Sequence, residues 1–142
     1  MTVPITFERV DRAIDAFRSG RPVIVVDDER RTNQGGLLVA AELVTRETMA
    51  FLVRHTSGFV AVALREADAD RLGLPPMRAA NQDRHRAAYG VTVDARDGVT
   101  TGISARDRAR TARLLGDPAS GPADFNRPGH VVPLRARPGG VH

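Results

Sequence analysis

The first residues that could do chemistry lie in the charged segment that follows an apolar run near Val25. The run is β-branched and ends in Asp27, Asp28 and Glu29. Arginines, polar residues and glycines follow to residue 36, before two leucines. A strand that ends in such a loop is a usual place for a ligand in an α/β sheet. The alternative is a solvated turn after an edge strand, and the sequence alone leaves both open.

A second candidate is the segment 98–110, in which glycines flank two threonines just before a predicted helix. Backbone N–H groups at a helix start, together with the hydroxyls of Thr100, Thr101 and Ser104, suit a phosphate group. Ser104 and Asp107 also form a passable capping pair for that helix. The segment lacks the lysine and the glycine spacing of a nucleotide-binding P-loop. The alternative is an ordinary strand–turn–helix connection with a solvated basic face.

The third candidate is His130, which follows a Pro-Gly turn in the motif Arg-Pro-Gly-His and precedes an apolar strand. Histidine is the natural general acid or base near neutral pH, so His130 is the predicted catalytic residue. A lone histidine is more often structural, and this alternative stays open. No two histidines have metal-ligand spacing and no carboxylate lies near His130 in the sequence, so the histidines predict no metal site.

Alternating helices and strands must position these candidates. Apolar residues at helical spacing predict a helix over residues 7–17, which Gly20 ends. Thr45 and Ser104 are predicted to cap two further helices. Strands are predicted at residues 22–28, 58–64, 89–95 and 130–136, the first two as continuous apolar runs covered on both faces. This order predicts an α+β fold of the three-layer α/β type, with a mixed β-sheet flanked by helices.

The composition predicts one domain over residues 1–142. The chain is 42% hydrophobic and 27% charged, which is ordinary for a globular protein large enough to bury a core. It has no cysteine, which excludes thiol catalysis and disulfides, and no apolar run approaches the roughly 20 residues of a membrane span. Because the N-terminus shows no signal-peptide pattern, we expect a cytoplasmic protein with no membrane partner.

Arginine supplies all 21 basic side chains, and they are distributed unevenly. Residues 1–70 carry a net charge of −2, whereas residues 71–142 carry +6 and include Arg106, Arg110 and Arg113 on one face of a predicted helix. A basic half can serve a small anion such as a phosphate as well as a polymer. Aromatic residues make up only 4% of the chain, so stacking surfaces are scarce and no nucleic-acid partner is expected.

Five motifs together resemble one enzyme family. They are VIVVDDE at 23–29, GLPPM at 73–77, GVTTGISARDRART at 98–111, RPGHVVPLRA at 127–136 and GGV at 139–141. In this order they are similar to the motifs of 3,4-dihydroxy-2-butanone-4-phosphate synthases, along essentially the whole chain. The resemblance implies an α+β fold and a homodimer with sites at the subunit interface. It also implies a Mg²⁺-dependent conversion of ribulose 5-phosphate into formate and the four-carbon phosphate used for riboflavin.

The charged loop departs from the family pattern at three acidic positions. The resemblance implies acids where Thr32, Gln34 and Gly36 stand, and the first of these is the family's metal ligand. The other implied ligand is a histidine several residues beyond Gly-Gly-Val, whereas this sequence ends at His142. Mg²⁺ prefers carboxylate oxygens, so we predict no metal site near Thr32 and no cofactor, in a domain that lacks the family's C-terminal segment.

The residues of the family pattern that handle an anion are retained. Beside the predicted catalytic residue His130, the residues predicted to bind substrate are Asp27, Arg31, Thr100, Thr101 and Ser104. The expected partners are a sugar phosphate and a second copy of the chain in a homodimer.

Three hypotheses about function follow and stay open. The first is a diverged paralogue that acts on or binds ribulose 5-phosphate, or a related sugar phosphate, without the usual Mg²⁺ site. The second is an inactive protein that binds a phosphate or partners another subunit. The third is a fragment of an ordinary synthase.

Overall fold

The predicted helices and strands occur in the predicted order, and an additional strand at residues 35–38 directly follows the first one. The computed structural model describes residues 7–27, 30 and 34–139, and within these ranges no helix is long and apolar enough to cross a membrane. The helices are α1 (Phe7–Arg18), α2 (Arg46–His55), α3 (Glu66–Arg71) and α4 (Ala105–Gly116). The strands are β1 (Val23–Val26), β2 (Gly35–Leu38), β3 (Ala61–Leu64), β4 (Val93–Ala95) and β5 (Phe125–Arg135). Short 3₁₀ turns occupy Ala41–Leu43 and Pro122–Asp124.

Within the described residues, the strands form two separate sheets. β1 and β2 pair as an antiparallel hairpin, with Val25 opposite Gly36. The second sheet has the order β3–β5–β4, in which β3 runs parallel to β5 and β4 runs antiparallel to it. Parallel and antiparallel pairs within one sheet, with helices packed against it, confirm the predicted mixed sheet and α+β fold.

Two helices begin at the residues predicted to cap them. Thr45 Oγ1 accepts a hydrogen bond from the Thr48 N–H at 3.1 Å, and Ser104 Oγ accepts one from the Asp107 N–H at 3.0 Å. Each bond satisfies a donor that the first turn of a helix leaves without an intrahelical partner. The helix α1 ends just before Gly20, whose φ of +75° is a conformation that glycine adopts without strain.

The core lies between the three-stranded sheet and the helices α2 and α4. Its largest fully buried apolar side chains are Met49, Val44, Leu72, Leu74, Val93, Leu115, Phe125 and Val131. Burying a side chain of this size stabilises the folded state by about 1.5–3 kcal/mol relative to leaving it exposed. The strands β4 and β5, with α4 packed against them, therefore contain many of the side chains whose burial stabilises the fold.

The two apolar strands that precede β4 are less buried than the sequence predicts. Ile24 and Val26 of β1 are 69% and 72% exposed, although their run predicts a strand covered on both faces. In β3, Ala61 and Ala63 are exposed, whereas Val62 and Leu64 are buried. A continuous apolar run indicates a preference for burial, but a neighbouring element has to supply the cover. The prediction of two-sided burial is wrong for both strands in the described structure.

Candidate active site

His130 lies inside β5, beside the strand that carries Asp94. β5 begins at Phe125, before the predicted start at residue 130, so the histidine is part of the sheet. The His130 backbone N–H donates to Asp94 Oδ1 at 2.8 Å, and His130 Nδ1 lies 2.7 Å from Asp94 Oδ2. One carboxylate therefore holds both the backbone and the ring of the same histidine.

The close approach of β4 and β5 depends on Gly129. A Cβ at this position would lie 2.0 Å from the Val93 carbonyl carbon and 2.3 Å from the Asp94 nitrogen, which no side chain could tolerate. The Gly129 N–H also donates to Thr92 Oγ1 at 3.0 Å, and the register of the two strands shifts between Val93 and Asp94. The glycine of the Pro-Gly-His motif therefore places the histidine by letting backbone lie against backbone.

Asp94 and His130 have the arrangement of an orienting carboxylate and a histidine that transfers protons. The Asp94 side chain is only 12% exposed, whereas that of His130 is 41% exposed. A carboxylate accepts hydrogen bonds, so the neutral His130 ring carries its proton on Nδ1, facing Asp94. Nε2 is then the nitrogen left to take a proton from a substrate or return one to it.

Sequence reasoning missed Asp94. No carboxylate lies near His130 along the chain, but Asp94, which precedes it by 36 residues, is brought against it by strand pairing. One signal was present in the predicted strand 89–95, where Asp94 is an acid in a segment type from which acids are depleted.

The turn that was predicted to bind a phosphate donates hydrogen bonds to the buried carboxylate of Asp107. Asp107 Oδ2 accepts hydrogen bonds from the Thr100 hydroxyl at 2.8 Å and from the backbone N–H groups of Thr100 and Gly102, each at 3.1 Å. Asp107 is 1% exposed, and the hydrogen bond from the Thr100 hydroxyl is the largest cause that lowers the pKa of its carboxyl, while burial opposes the shift. The Thr100 donors therefore point at Asp107.

The same turn lies directly against the Asp94–His130 pair. A Cβ on Gly102 would lie 2.1 Å from Asp94 Oδ2, so the Gly102 backbone covers one side of that carboxylate. Thr101 and Ser104 are exposed in this turn. The structure therefore brings the turn and His130 together around Asp94. Contacts of the turn with a substrate stay a prediction.

Two arginines on the predicted basic face of α4 are directed at backbone carbonyl groups. Arg110 Nε donates to the Asp97 carbonyl oxygen at 2.6 Å, and Arg113 Nη1 donates to the Val44 carbonyl oxygen at 2.7 Å. Both bonds fasten neighbouring segments to the helix. In this structure Arg110 and Arg113 support the packing of α4.

The charged loop after β1 is described only at its two ends and at Arg30. The Asp27 backbone N–H donates to the Gln34 carbonyl oxygen at 2.9 Å, which extends the hairpin by one residue pair. Arg31 and Thr32 lie outside the described residues. The substrate contacts assigned to Asp27 and Arg31 therefore stay predictions.

An open apolar groove is the most extended cavity described among residues 17–112, and neither Asp94 nor His130 lines it. It has a volume of about 1010 Å³ and lies between the hairpin, α2 and β3. Its large apolar lining residues include Phe17, Ile24, Leu38, Phe51 and Phe59. Hydrocarbon walls offer little to a charged ligand, so the Asp94–His130 pair, which lies outside this groove, is the candidate for acid–base chemistry.

Comparison with known proteins decides the family. A sequence model described as 3,4-dihydroxy-2-butanone 4-phosphate synthase matches residues 11–142. The chain belongs to this family. Riboflavin biosynthesis protein RibBA of Rhodococcus jostii is 62% identical over 135 residues, which are 95% of this chain and 32% of the relative. RibBA of Salinispora arenicola is 61% identical over 136 residues, which are 96% of this chain and 32% of that relative. The chain spans about a third of the length of both relatives.

Solved synthase structures share the fold. A 3,4-dihydroxy-2-butanone 4-phosphate synthase determined in complex with two magnesium ions is 47% identical and superposes with a TM-score of 0.90, over 92% of this chain and 61% of that chain. The Candida albicans synthase is 52% identical with a TM-score of 0.82, over 92% of this chain and 63% of that chain. The family resemblance and the α+β fold predicted from the sequence are both confirmed.

The prediction that the protein uses no metal or cofactor is wrong. A synthase of the same fold was solved with two magnesium ions bound, and it is 47% identical to this chain. The prediction relied on Thr32, Gln34 and Gly36 and on the histidine ligand that the family pattern places beyond Gly-Gly-Val. A hard cation takes about six oxygen ligands, including backbone carbonyls and water, so these few positions could not decide the site. In the described ranges no group of three or more His, Asp or Glu side chains could hold a metal ion, so no ligand is assigned there.

Proposed function

We propose that the chain carries the acid–base centre of a 3,4-dihydroxy-2-butanone 4-phosphate synthase that acts on ribulose 5-phosphate in riboflavin biosynthesis. The observation that carries the proposal is the pair formed by His130 and Asp94, in which both oxygens of one carboxylate engage the same histidine. Relatives that are 61–62% identical and named for riboflavin biosynthesis support the pathway.

His130 is the residue that moves protons in this proposal. Asp94 fixes the ring with Nδ1 protonated, so Nε2 can remove a proton from the sugar phosphate and deliver it again later. Asp94 also stabilises the charged imidazolium that forms when Nε2 takes a proton, because the two groups are 2.7 Å apart. A divalent cation, when bound, would polarise the oxygen atoms of the ketose.

The phosphate of the substrate is proposed to be held by residues around this pair. Thr101 and Ser104 are exposed in the turn whose Gly102 lies against Asp94. Arg31 and Asp27 would contribute from the loop after β1, with the guanidinium binding the phosphate in a forked, charge-assisted contact. The net charge of +6 on residues 71–142 favours an anionic ligand of this kind.

An ordinary synthase explains the chain better than a diverged or inactive paralogue. The high identity to RibBA proteins and the TM-score of 0.90 to a magnesium-bound synthase both support the ordinary chemistry of the family. The chain covers 61% of that solved synthase, so we propose that residues 1–142 form one domain that corresponds to part of the synthase fold.

A formate-release assay tests the proposed activity. The purified chain is incubated with ribulose 5-phosphate and Mg²⁺, and formate is followed by an enzyme-coupled readout. His130→Gln should lower the rate by at least about 100-fold, because general acid–base catalysis contributes this much or more. His85→Gln, in the loop between α3 and β4 and away from the apolar groove, is the matched control and should retain the wild-type rate. No formate from the wild-type chain, or a His130→Gln rate within twofold of wild type, would contradict the proposal.

We also propose a homodimer that covers the apolar groove. Exposed apolar side chains contribute to this face from the hairpin, from α2 and from the start of β3, and such contiguous patches are typical of protein interfaces. Sedimentation velocity should show a dimer at micromolar concentration. Phe59→Asp, at a position 59% exposed, should then give a folded monomer, whereas a wild-type monomer would contradict this proposal.

A further inference from the structure

The buried carboxylate of Asp107 is separated from Asp94 and His130 by the turn 100–102. Asp107 is 1% exposed, and its Oδ2 gathers three donors from the turn 100–102. The Asp107 backbone N–H donates a hydrogen bond to Ser104 Oγ. Both the side chain and the backbone of Asp107 are therefore fixed at the start of α4. The turn is therefore tied to the rigid helix through a single side chain.

The turn 100–102, which Asp107 holds in place, restricts the position of the Asp94 side chain. Gly102 has a φ of +90° and is buried, and a Cβ there would lie 2.1 Å from Asp94 Oδ2 and 2.4 Å from the Asp94 carboxyl carbon. The Asp94 carboxylate cannot rotate toward Gly102 without moving that backbone. Its two oxygens are consequently held toward the His130 N–H and the His130 ring nitrogen Nδ1.

We propose that Asp107 is a positioning residue that sets the tautomer and orientation of His130 through Gly102 and Asp94. This inference rests on the proposed function of His130 as the proton-transferring residue. The ionised carboxylate suits the task because it only accepts hydrogen bonds, and all three groups of the turn that face it are donors. An amide in its place would present two hydrogens to those donors in one of its two orientations and would bind the turn less well.

Asp107→Asn is the variant that tests this inference. The full chain is labelled with ¹⁵N-histidine, and the His130 ring nitrogens are assigned by their loss in His130→Gln. In the wild-type protein at mildly alkaline pH, His130 should show one tautomer with the proton on Nδ1. Asp107→Asn should move both ring ¹⁵N shifts toward those of a ring that averages its two tautomers. Asp117→Asn is the matched control, because Asp117 Oδ1 also accepts a backbone N–H in a turn, from Ala119 at 2.8 Å, at the opposite end of α4.

A second variant guards against misfolding of Asp107→Asn. Thr100→Val removes the hydroxyl that donates the shortest of the three bonds and leaves the Asp107 carboxylate in place, so it should shift the His130 signals in the same direction by less. In the formate assay, Asp107→Asn should lower kcat by about 10-fold with a smaller effect on KM, as expected when a supporting group is lost.

The spectroscopic readout needs no turnover, so it separates this inference from the proposed activity. Unchanged His130 shifts in both Asp107→Asn and Thr100→Val, with a folded protein, would overturn the positioning role even if the enzyme is active. Shifted His130 signals in a chain that releases no formate would support the positioning role and contradict the proposed function alone.

Discussion

The N-terminal hairpin and the three-stranded sheet contain similar β-branched strands but differ in what covers them. In β1, Ile24 and Val26 are more than two-thirds exposed, whereas Val131 of β5 is fully buried and Val132 is 7% exposed. β5 has a neighbour on each side and α4 against one face, while β1 has only β2 as a strand partner in the described structure. Burial therefore follows from neighbouring elements, and an apolar sequence alone does not establish it.

The two regions also carry different parts of the proposed chemistry. Asp94 and His130 lie on the buried sheet, where packing fixes side chains within the narrow limits that proton transfer requires. Asp27 and Arg31 belong to the hairpin and its loop, where a charge contact with a phosphate tolerates a less rigid support. The proposed function therefore assigns proton transfer to the sheet, and assigns binding of the substrate phosphate by a charged side chain to the hairpin and its loop.

The largest expected effect comes from adding a methyl group at a glycine in each region. Gly129→Ala should destabilise the protein by about 3 kcal/mol or more, because its Cβ would collide with the backbone of Val93 and Asp94. Gly36→Ala in β2 should change stability by less than about 1 kcal/mol, because its Cβ meets only Leu38 Cδ1 at an ordinary 3.5 Å. Urea unfolding measures both. Equal losses would remove the distinction between the two regions.

Valine truncation gives a smaller version of the same contrast. Val131→Ala should lower the free energy of unfolding by about 2 kcal/mol, since the side chain is fully buried and leaves a cavity. Val25→Ala, at a half-exposed position in β1, should change the free energy of unfolding by no more than about 0.5 kcal/mol. Thermal melts of the two variants would show the difference. A large loss at Val25 would indicate that the hairpin is covered in solution, for example by a second subunit.

Acid titration of stability should reveal the contribution of Asp107 to the sheet region. Its hydrogen bonds lower the pKa of the folded-state carboxyl below the ordinary value of 3.8, so the ionised form stabilises the fold. That contribution is fully present above the ordinary carboxyl pKa and is lost as the pH falls through the lowered folded-state pKa. Thr100→Val removes the largest cause of the shift and should reduce the acid-dependent loss measured by thermal melts from neutral to low pH. An unchanged pH profile in Thr100→Val would argue against this role.

Local signals in the sequence predicted most of the fold. Thr45 and Ser104 cap the helices they were expected to cap, and four of the five described strands overlap their predicted segments, β2 being the exception. These features depend on neighbours a few residues away, which a sequence displays directly. The two-sided burial of β1 and β3 failed because it depends on which elements pack there.

The candidate site was only partly predictable for the same reason. His130 stood out because of its Pro-Gly turn and its motif, but its partner Asp94 became visible only through the pairing of β4 and β5. Asp107 was recognised as a helix-capping partner, and its three hydrogen bonds to the turn depend on how that turn folds back over α4. The metal prediction failed because three loop positions and one histidine position are too few to define a cation site.

Exchange of a carbon-bound hydrogen of ribulose 5-phosphate with solvent tests the central claim most directly. The substrate is incubated with Mg²⁺ and the protein in D₂O, and loss of its C–H signals is followed by ¹H NMR. We expect rapid exchange with the wild-type chain and with the hairpin variant Val25→Ala, and exchange slower by at least about 100-fold with His130→Gln. Exchange by His130→Gln at the wild-type rate would show that the proton is moved elsewhere and would contradict the assignment of catalysis to the Asp94–His130 pair.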